Sequence, residues 1–129
     1  MKIKERLEDF RVRELLSSEY IAAQGEWRVY RVTKKKLTSL DAAAALARAA
    51  SVAPSDVSLA GFKDRQGITT QYMAIWRGRE VSRSTTDLRI EGAGFAARGL
   101  ASDDSLGNAF EVVVRGLDRR ELAILRPNI

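Results

Sequence analysis

Between Gly61 and Gly67 the chain sets Lys63, Asp64 and Arg65 side by side, just ahead of the polar run Thr69-Thr70-Gln71. An aspartate between two cations keeps a lowered pKa and stays ionised, as an anionic nucleophile or electrostatic stabiliser must. The flanking Lys63 and Arg65 suit a phosphate-bearing substrate. The two glycines let the backbone bend sharply or approach a ligand closely. The chain contains no histidine and no cysteine. Thiol nucleophiles and disulfides are therefore impossible, and zinc sites of the usual kinds lose their best ligands. A carboxylate is the leading candidate for covalent chemistry, and Asp64 is the leading carboxylate. A charged turn taken alone is ordinarily a solvated one whose ion pairs contribute little. Its neighbours set this one apart.

Regular structure has to carry that turn. Phe10-Arg11-Val12-Arg13 alternates apolar and charged residues, as a half-buried strand does. A second strand is expected over Trp27–Thr33, with EYIAAQGE between them as a loop turning at Gly25. Thr38, three residues before Asp41, caps a helix over Thr38–Ser51, with Leu40, Ala43, Ala44 and Ala47 on its buried side. Pro54 ends it. Further strands are expected at Thr69–Trp76, Leu88–Glu91 and Ala109–Arg115. The glycine-rich segment GAGFAARGLASDDSLGN reads as a long loop, of the kind that is functional or mobile. Asp118 and Glu121 signal a short helix at DRRELAIL, stopped by Pro127. Strands dominate and no βαβ repeat is present. The fold class is α+β, a mixed and largely antiparallel sheet with one main packing helix.

The 129 residues suit one domain over 1–129, 45% hydrophobic and 30% charged, a globular rather than a disordered profile. No apolar run approaches a membrane span, and the charged start MKIKERLEDF lacks the apolar stretch of a secretory signal. A cytoplasmic protein without membrane contact is expected. The net charge of +5 is spread out, with Lys34-Lys35-Lys36 as the only dense cluster. Such a surface is compatible with nucleic acid without requiring it.

Three stretches carry a resemblance. AGFKDRQGITTQ closely resembles A-G-x-K-D-[RK]-x-A-x-T-x-Q, the signature of the TruD family of tRNA pseudouridine synthases. KERLEDFRVREL resembles that family's K-x-x-x-E-D-F-x-V-x-E, and LGNAFEVVVR its G-N-x-F strand entry. RVTKKKLTSLDAAAALARAASV is similar to the family's lysine, threonine and helix between these motifs. The three motifs stand in family order over residues 4–115. The resemblance implies an RNA-modifying isomerase that converts a uridine in tRNA to pseudouridine. Asp64 would be catalytic, assisting cleavage of the N-glycosidic bond before the uracil turns and rejoins the ribose through C5. Phe110 would stack on the extruded base, and Asn108 would hydrogen-bond the aspartate or the base. Lys4 would help position the carboxylate, and Phe10 would line the site. No metal or organic cofactor is implied.

The sequence departs from the family in several places. Gly67 stands where the family prefers alanine, and the region of Trp27 lacks the histidine usual before the second strand. The chain stops soon after the G-N-x-F strand, its LRPNI resembling the start of P-N-Y-F-G-x-Q-R-F-G. It therefore reads as the N-terminal half of such a catalytic domain. The expected partners are tRNA and either a C-terminal half chain or a second copy. The alternative reading is a non-catalytic RNA-binding or interaction module derived from the same scaffold.

Overall fold

The computed structural model describes residues 10–61, 67–115 and 120–125. Among the described residues, eight strands form one sheet packed by a single α-helix. The strands are β1 (Phe10–Leu16), β2 (Trp27–Lys35), β3 (Val57–Leu59), β4 (Ile68–Trp76), β5 (Arg83–Ser84), β6 (Leu88–Ala96), β7 (Ser105–Arg115) and β8 (Arg120–Leu125). The helix α1 spans Ser39–Ala50. The order across the sheet is β5-β6-β2-β4-β1-β7-β8. Only the β1–β4 pairing is parallel, so the expected mixed, largely antiparallel α+β sheet is what forms.

β4 organises the sheet. One of its edges pairs with β2 along its whole length, from Trp27↔Trp76 to Lys35↔Ile68. The other edge is divided. β1 takes its start, from Arg11↔Ile68 to Arg13↔Thr70, and β3 takes its end, from Val57↔Ile75 to Leu59↔Met73. At the junction between β1 and β3 the backbone has no strand partner and must be satisfied by other means.

Helix α1 begins with the expected capping box. Asp41 N–H donates to the Thr38 hydroxyl at 3.1 Å and Thr38 N–H to the Asp41 carboxylate at 3.2 Å. It ends at Ser51, whose φ of 62° is left-handed, before Pro54. The buried face includes Ala43 and Ala47 as expected but not Leu40. Ser39, Ala42, Ala43, Leu46, Ala47 and Ala50 are buried, whereas Leu40 is 65% exposed. Ser39 takes the sheet-facing position of the first turn, which rotates Leu40 outward. Leu46 is central to the core with Tyr30, Val32, Met73, Ile75, Leu88 and Ile90. The small alanines let the helix lie close to these strands.

Two further expectations are corrected. DRRELAIL is not a helix: Arg120–Leu125 forms β8, paired from Phe110↔Leu125 to Arg115↔Arg120. Eight residues before a proline are too few for a helix to stand on local propensity, and the open edge of β7 offers them backbone partners. The glycine-rich segment is mostly strand, because β6 continues to Ala96 and β7 begins at Ser105. Gly92 and Gly94 pass a bulge opposite Val29–Tyr30. Only residues 97–104 connect the two strands. EYIAAQGE is tied to β6 by the bridge Ala22↔Phe95. Gly25 is required nearby, since a Cβ there would collide with the Ala96 carbonyl oxygen.

That connection is held by a carboxylate. Asp104, nearly buried, accepts two bonds from the Arg98 guanidinium at 2.6 and 2.7 Å and one from Ala101 N–H at 2.8 Å. Its carbonyl accepts Ser17 N–H at 3.0 Å, joining the connection to the end of β1. The Arg98 hydrogen bonds hold the Asp104 carboxyl below the usual carboxylate range.

Candidate active site

The junction on β4 gathers polar side chains that the core would otherwise exclude. Six polar or charged residues are buried among those described: Glu14, Lys34, Ser39, Thr69, Gln71 and Asp104. The first five belong to β1, β2, β4 and the first turn of α1. Four of the five have a clear bonding reason to be there. Tyr72 N–H, beyond the last β1 pair, donates to a Glu14 carboxylate oxygen at 3.0 Å. The Ser39 hydroxyl donates to the Gln71 amide oxygen at 2.7 Å, and the Gln71 amide nitrogen donates to the Gly61 carbonyl at 3.3 Å. The Lys34 ammonium donates to the Leu37 carbonyl at 2.8 Å, ahead of the helix.

Gly61 and Gly67 bound the segment that contains Lys63, Asp64 and Arg65. Gln71 grips the first of these glycines, and the second enters β4 with a left-handed φ of 64°. Lys4, Lys63, Asp64 and Arg65 lie outside the described residues, as does the expectation that they converge. Phe10 opens β1, its backbone paired with Val112.

Asn108 and Phe110 are placed. Both lie on β7, Asn108 opposite Glu14 and Phe110 opposite Val12. Val12 is in turn beside Thr69, and Thr69 beside Lys34. Phe110, Val12, Thr69 and Lys34 thus form a row across four adjacent strands, on the sheet face that packs α1. Asn108 is half-buried, and its amide oxygen is buried without a hydrogen-bond partner. A buried acceptor of this kind is costly unless something donates to it.

The sequence reading gave Glu14, Lys34 and Ser39 no individual part in this region, though they stand in stretches that carry the resemblance, and it took Gln71 as a polar neighbour of the charged turn. It took Lys34 as one of a surface cluster, but only Lys36 of the three is fully exposed and Lys34 is buried. The signal was present in the alternation. Lys34 continues the inward series Tyr30, Val32, and a charge at an inward strand position demands a partner.

The family model described as tRNA pseudouridine synthase D (TruD) matches residues 1–126. A tRNA pseudouridine synthase D of Leptospira interrogans is 31% identical over 98% of this chain and 31% of its own length. A probable tRNA pseudouridine synthase D of Archaeoglobus fulgidus is 34% identical over 89% of this chain and 28% of its own. A crystal structure of a tRNA pseudouridine synthase D from Methanosarcina mazei shares the fold. It has a TM-score of 0.76 at 23% identity, and the match covers 91% of this chain and 27% of that one. The chain spans about a third of the length of the curated relatives it matches. Over residues 1–126 it belongs to the tRNA pseudouridine synthase D family.

Proposed function

We propose that this chain provides the catalytic carboxylate and the base-holding strand of an enzyme that isomerises uridine in tRNA to pseudouridine. The observation that carries the reading is the row Phe110–Val12–Thr69–Lys34, which runs across β7, β1, β4 and β2 beside the junction where the segment with Asp64 begins and ends. In the reaction the Asp64 carboxylate assists departure of uracil as the N1–C1′ bond breaks. The detached ring turns, C5 bonds to C1′, and the C5 proton is lost while N1 gains one. Atoms and electrons balance without an oxidant, a reductant or a metal.

The residues divide the work. Phe110 stacks on the base taken out of the RNA, a contact worth roughly 1–3 kcal/mol against an unstacking cost of a few. The unpartnered Asn108 amide oxygen suits a donor N–H on uracil. Lys4 and Phe10 complete the carboxylate's surroundings, and Lys63 and Arg65 meet phosphate. A cytoplasmic location follows from a tRNA substrate.

The test is pseudouridine formation in tRNA, read by nucleoside mass spectrometry after derivatisation. The chain is assayed alone and with the C-terminal remainder of a full-length relative. Conversion that vanishes in Asp64→Asn, with folding and RNA affinity kept, supports the reading. Conversion at an unchanged rate in that variant overturns it. RNA binding with no conversion under either condition favours the non-catalytic RNA-binding module.

A further inference from the structure

The sheet face opposite α1 carries a second constellation. Arg31 lies over the Tyr72 ring, 5.8 Å from its centroid, and pairs with Glu91 at 3.3 Å. Arg89 reaches the same carboxylate at 3.8 Å. The Thr33 and Thr70 hydroxyls meet at 3.2 Å, which fixes these residues to one face. Arg13 is in register with Thr70, and both Arg11 and Lys35 with Ile68. The face therefore gathers Arg11, Arg13, Arg31, Lys35 and Arg89 against Glu91. Arg11, Arg13 and Arg89 are exposed. Where β1 leaves β4, this track meets a pocket of about 360 Å³ lined by Arg13, Leu16, Ser17, Ile21 and Tyr72, with Glu14 in its wall.

We infer that this face binds a single-stranded RNA segment, its phosphates along the arginine track and one unstacked base in the pocket against Tyr72. An RNA backbone is a polyanion that clustered arginines neutralise, and an aromatic side chain beside such a track holds bases of any sequence. The pocket combines an aromatic ring, three aliphatic side chains and two serine hydroxyls, which suits a flat base with polar edges. A protein partner would call for an apolar centre depleted of charge, whereas arginines dominate this face. Phe110 and Lys34 project from the other face. The RNA bound here is therefore a part of the molecule other than the reacting uridine.

The experiment is fluorescence anisotropy of the full chain with a labelled, unstructured oligouridine over a salt series, with thermal unfolding to show that each variant is folded. The double variant Arg13→Gln/Arg31→Gln should weaken binding and reduce the slope of log affinity against log salt by about 1.4, the loss of two single-strand phosphate contacts. Tyr72→Leu should weaken binding roughly 5- to 100-fold with the slope unchanged, as loss of one stacked base requires. Arg48→Gln, on the exposed side of α1, should bind as the parent does. Absence of binding by the parent, or an unchanged slope in the folded double variant, overturns the inference. A double variant that loses self-association while still binding RNA would assign the face to a second copy, which also overturns it. No step of the measurement involves isomerisation, so this result and that for Asp64 stand or fall separately.

Discussion

Ser39 and Gln71, 32 residues apart, share a buried hydrogen bond of 2.7 Å that fixes the first turn of α1 to the middle of β4. Gln71 passes the restraint on to Gly61, where the segment containing Asp64 begins. Helix, strand and segment are thereby registered against one another. Ser39→Ala leaves the Gln71 oxygen buried without its donor and should cost about 1–3 kcal/mol. Gln71→Leu should cost a similar amount. The double variant should cost clearly less than the sum, because each change removes the same bond. Urea unfolding of the four proteins checks it, and strict additivity would show that the bond contributes nothing.

Core packing should separate two leucines six residues apart. Leu46→Ala opens a cavity among Tyr30, Val32 and Met73 and should cost about 2–5 kcal/mol. Leu40→Ala, at an exposed position, should change stability by less than about 0.5 kcal/mol. Equal effects in denaturant unfolding would contradict the helix orientation.

Asp104 gives stability a defined pH dependence. Its folded pKa is lowered, chiefly by Arg98, so its contribution is present above the unfolded carboxylate value of about 4. The contribution fades as pH falls from there through the folded value. Asp104→Asn should lower the melting temperature at pH 7 and flatten the decline between neutral and acid pH. Parallel melting curves for the two proteins across that range would contradict it.

Gly67 occupies a left-handed conformation at the entry to β4. Gly67→Ala should cost about 1–2 kcal/mol, the usual penalty for a side chain there. A stability gain by thermal unfolding would mean that this φ is not needed by the fold.

The sequence made much of this legible. Thr38 and Asp41 announced the start of the helix, and the alternating Trp27–Thr33 and Thr69–Trp76 segments are strands. What it concealed depends on partners distant in the chain. Nothing local marks Leu40 as exposed, because Ser39 claims the inward position through a bond to Gln71. DRRELAIL carries honest helix signals, yet β7 offers it an edge. Asn108 and Phe110 were named from a motif. Glu14 and Gln71 also stand in motifs, but what they hold there, with Lys34 and Ser39, depends on the divided edge of β4, which only the assembled sheet creates.

The position of β1 has a consequence for biosynthesis. β1, made before the other described strands, lies between β4 and β7, paired with Ile68–Thr70 on one side and with Ser105–Val112 on the other. During translation it has no lasting partner until β4 is made, and its second edge waits for β7. Long-range pairing of this kind slows folding and leaves a nascent strand open to wrong partners. Arg11 and Arg13, alternating with its inward residues, place like charges along that waiting edge. Like charges on a strand that waits for its partner oppose pairing with a wrong one.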